Sequence, residues 1–224
     1  RACVFQMSLT SGLIGGLLAL YAWRVTGLPS EGINWLAFAL VLVGLVVAHA
    51  ANNLSNDFFD LQEGLDTKDY PRALYAPHPV LSGLTTQRGL ATAFITLTAI
   101  DALIALYLTS VRGPLVLGFA AAGLLVSLFY TAWPLKLKYR GLGEIGVFIV
   151  WGPLMIGGGY FVVTGEWSWT VVLAGLPYAL GVTTVIFGKH IDKYDADKAK
   201  GIHTLPVILG EQPSRYLAIG MMVL

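Results

Sequence analysis

Two stretches of the sequence carry carboxylate and amide side chains at spacings that suit the binding of a divalent cation. The first is NNLSNDFFDLQEGLD (residues 52–66), and the second is DKYDAD (residues 192–197). Carboxylates packed this closely repel one another unless a cation lies between them, and Mg²⁺ prefers such oxygen ligands together with substrate phosphates. The candidate metal ligands are Asn56, Asp57, Asp60, Asp66, Asp192, Asp195 and Asp197.

The first stretch places its oxygen ligands on one side if it is helical. Should the apolar run before it continue as a helix for two more turns, Asn53, Asp57 and Asp60 stand at i, i+4 and i+7 and share one face. Gly64 then permits a tight turn, and Asp66 can fold back toward that face. We expect this segment to form one half of a metal site.

The second stretch also follows an apolar run. Asp192 and Asp195 are i, i+3 neighbours, whereas Asp197 faces another direction unless the helix ends first. A helix C-terminus disfavours anions and favours cations, so carboxylates at two helix ends are better explained with a metal than without one. The alternative is that both clusters are ordinary solvated loops. The presence of two such clusters on the same face of the membrane argues against this alternative.

Basic side chains lie close to both acidic stretches in the sequence. Metals held by acids, together with lysine and arginine side chains, suit the binding of a diphosphate. The alternative is that the lysines and arginines only signal membrane topology. The basic candidates are Lys68, Arg72, Lys136, Lys138, Arg140, Lys189 and Lys193.

The composition predicts that these residues are carried by membrane helices. Of the 224 residues, 56% are hydrophobic and 12% are charged, whereas a soluble domain has about 25% charged residues. The net charge of +1 gives no signal for nucleic-acid binding. Six apolar stretches reach the roughly 20 residues that span a bilayer, so we expect an all-α polytopic bundle with six complete spans and the start of a seventh. They are residues 2–23, 33–56, 89–111, 113–135, 145–165 and 167–188.

The loop charges predict the orientation. If residue 1 is cytoplasmic, twelve of the fourteen lysines and arginines, Arg1 included, lie on the cytoplasmic side, and only Arg24 and Arg112 lie outside. Ten of the thirteen acids share the cytoplasmic side, while Glu31 and Glu166 lie outside. Because the positive-inside rule does not require acids to follow bases, this bias indicates a charged site at the cytoplasmic face.

Two polar residues lie inside the predicted spans. A carboxylate at mid-membrane, such as Asp101, costs about 2.5–3.5 kcal/mol on insertion scales and is a functional candidate by default. We expect Asp101 to make a structural hydrogen bond and His49 to make a polar contact between helices. A transporter would place its ion and substrate sites near the midplane, so the concentration of charge at one face favours an enzyme.

Three motifs resemble one known family. NDFFDLQEGLD (56–66) resembles the first aspartate-rich motif of the UbiA superfamily of intramembrane aromatic prenyltransferases, and DKYDADKAKGIHTLPVILG (192–210) is similar to the second. LKYRGLGE (137–144) resembles the middle loop of the menaquinone branch, the 1,4-dihydroxy-2-naphthoate prenyltransferases. The resemblance covers the whole chain, and the motifs occur in the expected order.

This resemblance implies a nine-helix bundle, of which about seven helices are present, in a single domain over residues 1–224 that is incomplete at both ends. It implies Mg²⁺-dependent transfer of a polyprenyl group from a polyprenyl diphosphate to an aromatic acceptor, a quinone precursor of menaquinone biosynthesis. It also implies a bacterial inner-membrane protein whose site faces the cytoplasm. Aromatic candidates to stabilise an allylic cation are Tyr130, Trp133, Phe148, Trp151 and Tyr160, although ordinary packing is expected for most of them.

The resemblance also assigns roles by residue. Asn56, Asp57, Asp60 and Asp66 match motif one, Asp195 and Asp197 match motif two, and Lys138 and Tyr139 match the diphosphate side of the middle loop. The implied catalytic residues are Asp57, Asp60, Asp195 and Lys138, and the implied diphosphate ligands are Lys68, Arg72, Lys138, Tyr139 and Lys189.

Two positions depart from the family pattern. Lys193 stands where motif two usually has an acid, with Asp192 as the candidate substitute, and His78 stands where many relatives have arginine before proline. The departure at Lys193 keeps open a third reading, a catalytically silent lipid-binding or assembly subunit of the same fold.

Overall fold

The computed structural model describes residues 4–27, 29 and 32–223. Arg1 and Glu31, which enter the predicted orientation, lie outside the described residues. Within them the α-helices are α1 (Phe5–Thr26), α2 (Trp35–Gln62), α3 (Pro71–Tyr75), α4 (Gln87–Arg112), α5 (Leu115–Thr131), α6 (Gly143–Ile149), α7 (Gly158–Thr164), α8 (Trp169–Asp192), α9 (Tyr194–Ala199), α10 (Leu205–Leu209) and α11 (Glu211–Val223). A π-helical segment, Val150–Gly157, joins α6 to α7, and Leu137–Arg140 forms a turn of 3-10 helix.

The predicted all-α membrane bundle is confirmed. Five helices are long and apolar enough to cross a membrane: α1, α2, α4, the continuous helix Gly143–Thr164 and α8. The sixth predicted span is the apolar helix α5, which has 17 residues. Helix α11 covers most of the predicted start of a seventh span.

Side-chain caps set where the long helices begin. The side chains of Asn34, Thr86 and Ser168 accept hydrogen bonds from backbone N–H groups in the first turns of α2, α4 and α8. Such caps satisfy donors that have no partner within the helix. Gly27 and Gly165, both with positive φ, end α1 and α7, as is common for glycine at a helix C-terminus.

Small residues let α1 approach both the π-helical segment and α2 closely. A Cβ at Gly15 would lie 2.7 Å from the carbonyl oxygen of Ile156, and a Cβ at Gly16 would overlap the ring of Phe38. The π-helical segment contains Pro153, which has no backbone N–H to donate. The missing donor explains why regular α-helical hydrogen bonding is interrupted there.

His49 makes the predicted contact between helices. Its Nδ1 lies 2.8 Å from the hydroxyl oxygen of Ser8, which joins α2 to α1. At the end of the bundle where α4 finishes, Arg112 donates to the carbonyl oxygens of Val162 and Val163. These contacts fasten helices that are distant in the sequence.

The segments that follow α2, α5 and α8 meet at one end of the bundle. Lys200 donates to the carbonyl oxygen of Leu65 at 2.6 Å. Leu65, Tyr70 and Ile202 form a small buried cluster, against which Tyr139 packs. This end of the bundle therefore brings together both acidic stretches and the basic middle loop.

Candidate active site

A cavity of about 690 Å³ runs through the bundle. Most of the residues that line it are apolar, and they come from α1, α2, α4, α5, α8 and the helix Gly143–Thr164. On α2 the lining extends from Leu40 to Asp60, which corresponds to about 30 Å along the helix axis. The polar lining residues concentrate at the end where the three loops meet, so the cavity has a charged mouth and an apolar interior.

The first acidic stretch is helical, as its spacing predicts. Helix α2 continues to Gln62, and Asn56 and Asp60 both line the cavity. Gly64 has a φ of 72°, and the backbone N–H of Asp66 donates to the carbonyl oxygen of Asp60 at 3.1 Å. The chain therefore turns back at this glycine, and Asp66 also lines the cavity.

Cationic side chains hold two of these carboxylates. Arg72 donates to both oxygens of Asp57, at 3.1 and 2.8 Å. Lys138 donates to both oxygens of Asp60, at 2.7 and 2.6 Å, and the hydroxyl of Tyr139 donates to Asp60 Oδ1 at 3.0 Å. All these carboxylates are buried, so the pairing offsets the cost of removing charge from water.

Asp66 lacks such hydrogen bonds. Both of its carboxylate oxygens are buried without a hydrogen-bond partner, and His78 Nε2 lies 3.4 Å from Oδ2. Burial, followed by the negative charge of Asp60, raises the pKa of Asp66 to about 6. Ligand atoms of Asp57, Asp66 and His78 all lie within 4.8 Å of one another. Buried carboxylate oxygens without partners beside a second carboxylate fit the binding of a divalent cation.

The second acidic stretch divides at a helix end. The prediction that Asp192 and Asp195 share an i, i+3 face is wrong, because α8 ends at Asp192 and α9 begins at Tyr194. Asp192 lines the cavity, whereas Asp195 is exposed and is not part of its lining. Asp197 is fully buried elsewhere and accepts a hydrogen bond from the Tyr70 hydroxyl.

The remaining basic candidates lie in different places. Lys189 and Lys193 line the cavity, but Lys68 is exposed and does not. Lys193 Nζ lies 3.8 Å from Asp197 Oδ2. Burial, together with repulsion from Lys138, lowers the pKa of Lys193 to about 8.

Some site residues are not recognisable from spacing alone. Tyr70 is buried between the two acidic stretches, and burial raises the pKa of its hydroxyl. Glu144 and His190 form a buried pair, with Oε1 and Nδ1 2.6 Å apart, and His190 lines the cavity. A glutamate in the middle loop and a histidine just before Asp192 were weak signals for this pair, because nothing in the sequence shows that they touch. His78 was visible only as a departure from the family pattern.

The aromatic candidates and Asp101 differ in their positions relative to the cavity. Of the five aromatic candidates, Tyr130 and Trp151 line the cavity, and Trp133 is exposed. Asp101 lines the cavity next to Gly44. The hydrogen bond expected for Asp101 does not join it to any residue that the structure describes.

The fold and the cavity define a polytopic helical membrane protein with an acidic and basic mouth over an apolar interior. The sequence profile of the UbiA prenyltransferase family matches residues 12–224, and the chain belongs to this family.

Individual relatives agree with this assignment. The chain is 30% identical to digeranylgeranylglyceryl phosphate synthase of Natronomonas pharaonis over 93% of this chain and 69% of that protein. It is 25% identical to 1,4-dihydroxy-2-naphthoate octaprenyltransferase of Haemophilus influenzae over 96% of this chain and 69% of that protein. The chain spans 54% to 69% of the length of the curated relatives compared with it.

A solved structure shares the fold. The structure of a UbiA homolog from Archaeoglobus fulgidus, bound to DMAPP and Mg²⁺, matches 98% of this chain and 70% of that one, with a TM-score of 0.70 and 14% identity. At this identity the likeness concerns the fold.

Proposed function

We propose that this protein transfers a polyprenyl group from a polyprenyl diphosphate to an aromatic acceptor, with Mg²⁺ bound at the mouth of the cavity. The observation that carries the proposal is the buried pair of Asp66 oxygens, which have no hydrogen bond and lie beside Asp57 and Asp60. A divalent cation is the ligand that this arrangement fits best, and a diphosphate is the anion that such a cation and the nearby basic side chains would hold together.

The shape of the cavity supports a lipid substrate. The mainly apolar part of its lining on α2, from Leu40 to Ala51, is about 16 Å long, long enough for a few isoprene units. Transfer of such a chain out of water is favourable in proportion to the apolar area that is covered. The substrate would therefore lie with its diphosphate at the charged mouth and its tail in the interior.

The residues that would hold Mg²⁺ are those at the mouth that offer oxygen atoms. They are Asn56, Asp57, Asp60, Asp66 and Asp192. Bound Mg²⁺ would neutralise charge on the leaving diphosphate. Asp195 and Asp197 stay predicted ligands, and Asp197 is joined by a hydrogen bond to Tyr70, which lines the cavity.

Basic side chains at the mouth would contact the diphosphate. Arg72, Lys138 and Lys189 line the cavity there, and Tyr139 is close enough to donate to Asp60. Arginine binds phosphate oxygens through two parallel N–H groups, while lysine acts as a point charge. Lys68 would have to move to take part.

The reaction itself breaks the bond between the allylic carbon and the diphosphate oxygen, and the electron pair leaves with the diphosphate. A ring carbon of the acceptor forms the new bond and then loses its proton, for which the released diphosphate is an available base. Tyr130 and Trp151 line the cavity, and an aromatic face can stabilise a nearby cation by about 0.5–2 kcal/mol. The apolar lining of the cavity would limit the access of water, which would otherwise capture the allylic cation.

A quinone precursor is the acceptor that we favour, because the middle-loop resemblance and the name of the Haemophilus influenzae relative agree. A glyceryl phosphate lipid is the second candidate, supported by the name of the relative with 30% identity. The loop charges support a cytoplasmic mouth, with Arg24 and Arg112 on the far side. A bacterial inner membrane is our proposal from the family branch that the middle loop resembles.

An assay with the purified protein in nanodiscs, labelled polyprenyl diphosphate and both acceptor types would test the proposal. We expect transfer that requires Mg²⁺ and whose rate falls about 100-fold in Asp60→Asn. The matched control is Asp69→Asn, a fully exposed acid in the loop that follows α2, which should retain activity.

Three outcomes would contradict the proposal. Transfer that persists in EDTA would exclude the metal role. Diphosphate binding without transfer to any acceptor would favour the silent lipid-binding subunit. Movement of the lipid across the bilayer without chemical change would favour the transporter.

A further inference from the structure

His78 is a buried histidine whose two ring nitrogens have different environments. It lies between α3 and α4 and is only 1% exposed. Its Nδ1 accepts hydrogen bonds from the backbone N–H groups of Val80, at 3.2 Å, and Leu81, at 3.3 Å. Its Nε2 faces Asp66 and has no hydrogen bond, with a separation of 3.4 Å from Oδ2.

These contacts determine the tautomer. A neutral imidazole has one nitrogen that donates and one that accepts. Because Nδ1 accepts from two backbone N–H groups, the proton must be on Nε2. His78 therefore presents an N–H group to Asp66, and no lone pair on this nitrogen is available to a metal ion.

We propose that His78 is a positioning residue that donates from Nε2 to Asp66 and so aims the free oxygen of that carboxylate at the metal. This inference rests on the proposed function, since it requires a cation at Asp66. His78 is then not a ligand, although its Nε2 lies among the ligand atoms of Asp57 and Asp66. Hydrogen bonds to a ligating carboxylate fix its orientation, and their loss typically costs 10–100-fold in metal affinity.

The consequence for the metal centre is that all its protein ligands are oxygen atoms. Carboxylate and amide oxygens suit Mg²⁺ and Mn²⁺, whereas an imidazole ligand would favour zinc and other transition metals. The protonated Nε2 therefore contributes to selectivity for hard cations, because it withholds an imidazole nitrogen that lies close to the carboxylate ligands.

A purely structural role for His78 can be separated from the positioning role. An asparagine at position 78 can still accept a hydrogen bond from the N–H two residues later, as in an Asx turn. Because the asparagine side chain is shorter than the histidine ring, its amide group cannot donate a hydrogen bond to Asp66. His78→Asn thus keeps the bond that shapes the loop and removes the bond that would orient the carboxylate.

The experiment uses Mn²⁺ as the probe, on the purified full chain in detergent. Binding would be measured by electron paramagnetic resonance for the wild type, His78→Asn and the control His203→Asn, an exposed histidine. We expect His78→Asn to bind Mn²⁺ about 10–100-fold more weakly at an unchanged melting temperature. His203→Asn should match the wild type. Pulsed measurements on the wild type should detect no nitrogen bonded directly to Mn²⁺.

Two results would overturn the inference and leave the proposed function intact. One is an affinity of His78→Asn within about twofold of the wild type, and the other is a directly bonded nitrogen in the wild-type spectrum. The spectrum decides the question alone if His78→Asn does not fold. A wild-type protein that binds no Mn²⁺, even with a prenyl diphosphate present, would instead contradict the proposed function.

Discussion

Two lysines of the middle loop offer a direct test of how burial controls the strength of the ion pairs at the cavity mouth. Lys138 Nζ lies 2.6 Å from Asp60 Oδ2, and the two side chains are 6% and 11% exposed. Lys136 Nζ lies the same 2.6 Å from Glu63 Oε2, but these side chains are 25% and 40% exposed. Both amines also lie near the ring of Tyr139.

The two variants Lys138→Met and Lys136→Met should therefore differ greatly. Removing one partner of a buried pair costs about 3–5 kcal/mol, because the other charge is left without a partner. In Lys138→Met, Tyr139 still donates a hydrogen bond to Asp60, so we expect a loss of stability at the lower end of this range, about 3 kcal/mol. An exposed pair contributes about 0–1 kcal/mol.

Thermal unfolding, monitored by tryptophan fluorescence in the absence of Mg²⁺ and diphosphate, would measure the difference in stability between the two variants. For a chain of this size, 1 kcal/mol corresponds to a shift of about 2–4 °C in melting temperature. Lys138→Met should then melt about 6–12 °C below the wild type, whereas Lys136→Met should lose at most about 4 °C.

A double variant provides the internal control. Asp60→Asn removes the charge that Lys138→Met leaves behind, so the double variant should recover part of the lost melting temperature. Equal shifts for the two lysine variants would refute the reasoning, since the pairs have the same separation and differ in burial. No recovery in the double variant would show that the loss comes from packing.

Three further predictions concern the helices. Gly15→Ala should lower the free energy of unfolding, measured by chemical denaturation, by about 1–3 kcal/mol, because a backbone carbonyl of the π-helical segment blocks a Cβ there. Gly181→Ala, whose Cβ would meet open space, should be neutral or stabilising by up to about 1 kcal/mol. Equal effects of the two substitutions would contradict this prediction. Glu144→Ala should lower the free energy of unfolding by about 1–3 kcal/mol in the same assay, because His190 loses its buried partner. An unchanged denaturation midpoint would show that the Glu144–His190 pair does not contribute to stability. Asp101→Leu should improve membrane insertion of isolated α4 by about 3 kcal/mol in a glycosylation-mapping assay, and no gain would mean that the carboxylate is not at mid-membrane.

The sequence predicted those features that depend on local pattern. Apolar stretches located the membrane helices, because length and hydropathy are properties of continuous segments. Helical spacing placed Asn53 and Asp60 on one face of α2, and both line the cavity, while Gly64 marked the turn that returns Asp66. Each of these inferences needed only residues within about six helical turns of one another.

Features that depend on contact between distant segments were not predictable in this way. Tyr70 reaches Asp197 across 127 positions, and no spacing rule connects them. The interruption of α8 at Asp192 separates Asp192 from Asp195, although the helical pattern alone continues through both. A helix end inside a charged segment has no hydrophobic signal, so its position is set by the tertiary contacts of the loop, such as those of Lys200.

The ion pairs at the mouth also indicate where a cation would bind first. Asp57 and Asp60 already have arginine and lysine partners, so a metal must displace or share these bonds. Asp66 is paired with no lysine or arginine that the structure describes, and its raised pKa reflects the cost of holding its charge in a buried place. A cation that binds there relieves this cost at once, and its charge weakens the hold of Arg72 and Lys138 on the neighbouring carboxylates. Those two side chains would then be available to a diphosphate, so metal binding at Asp66 prepares the mouth for its substrate.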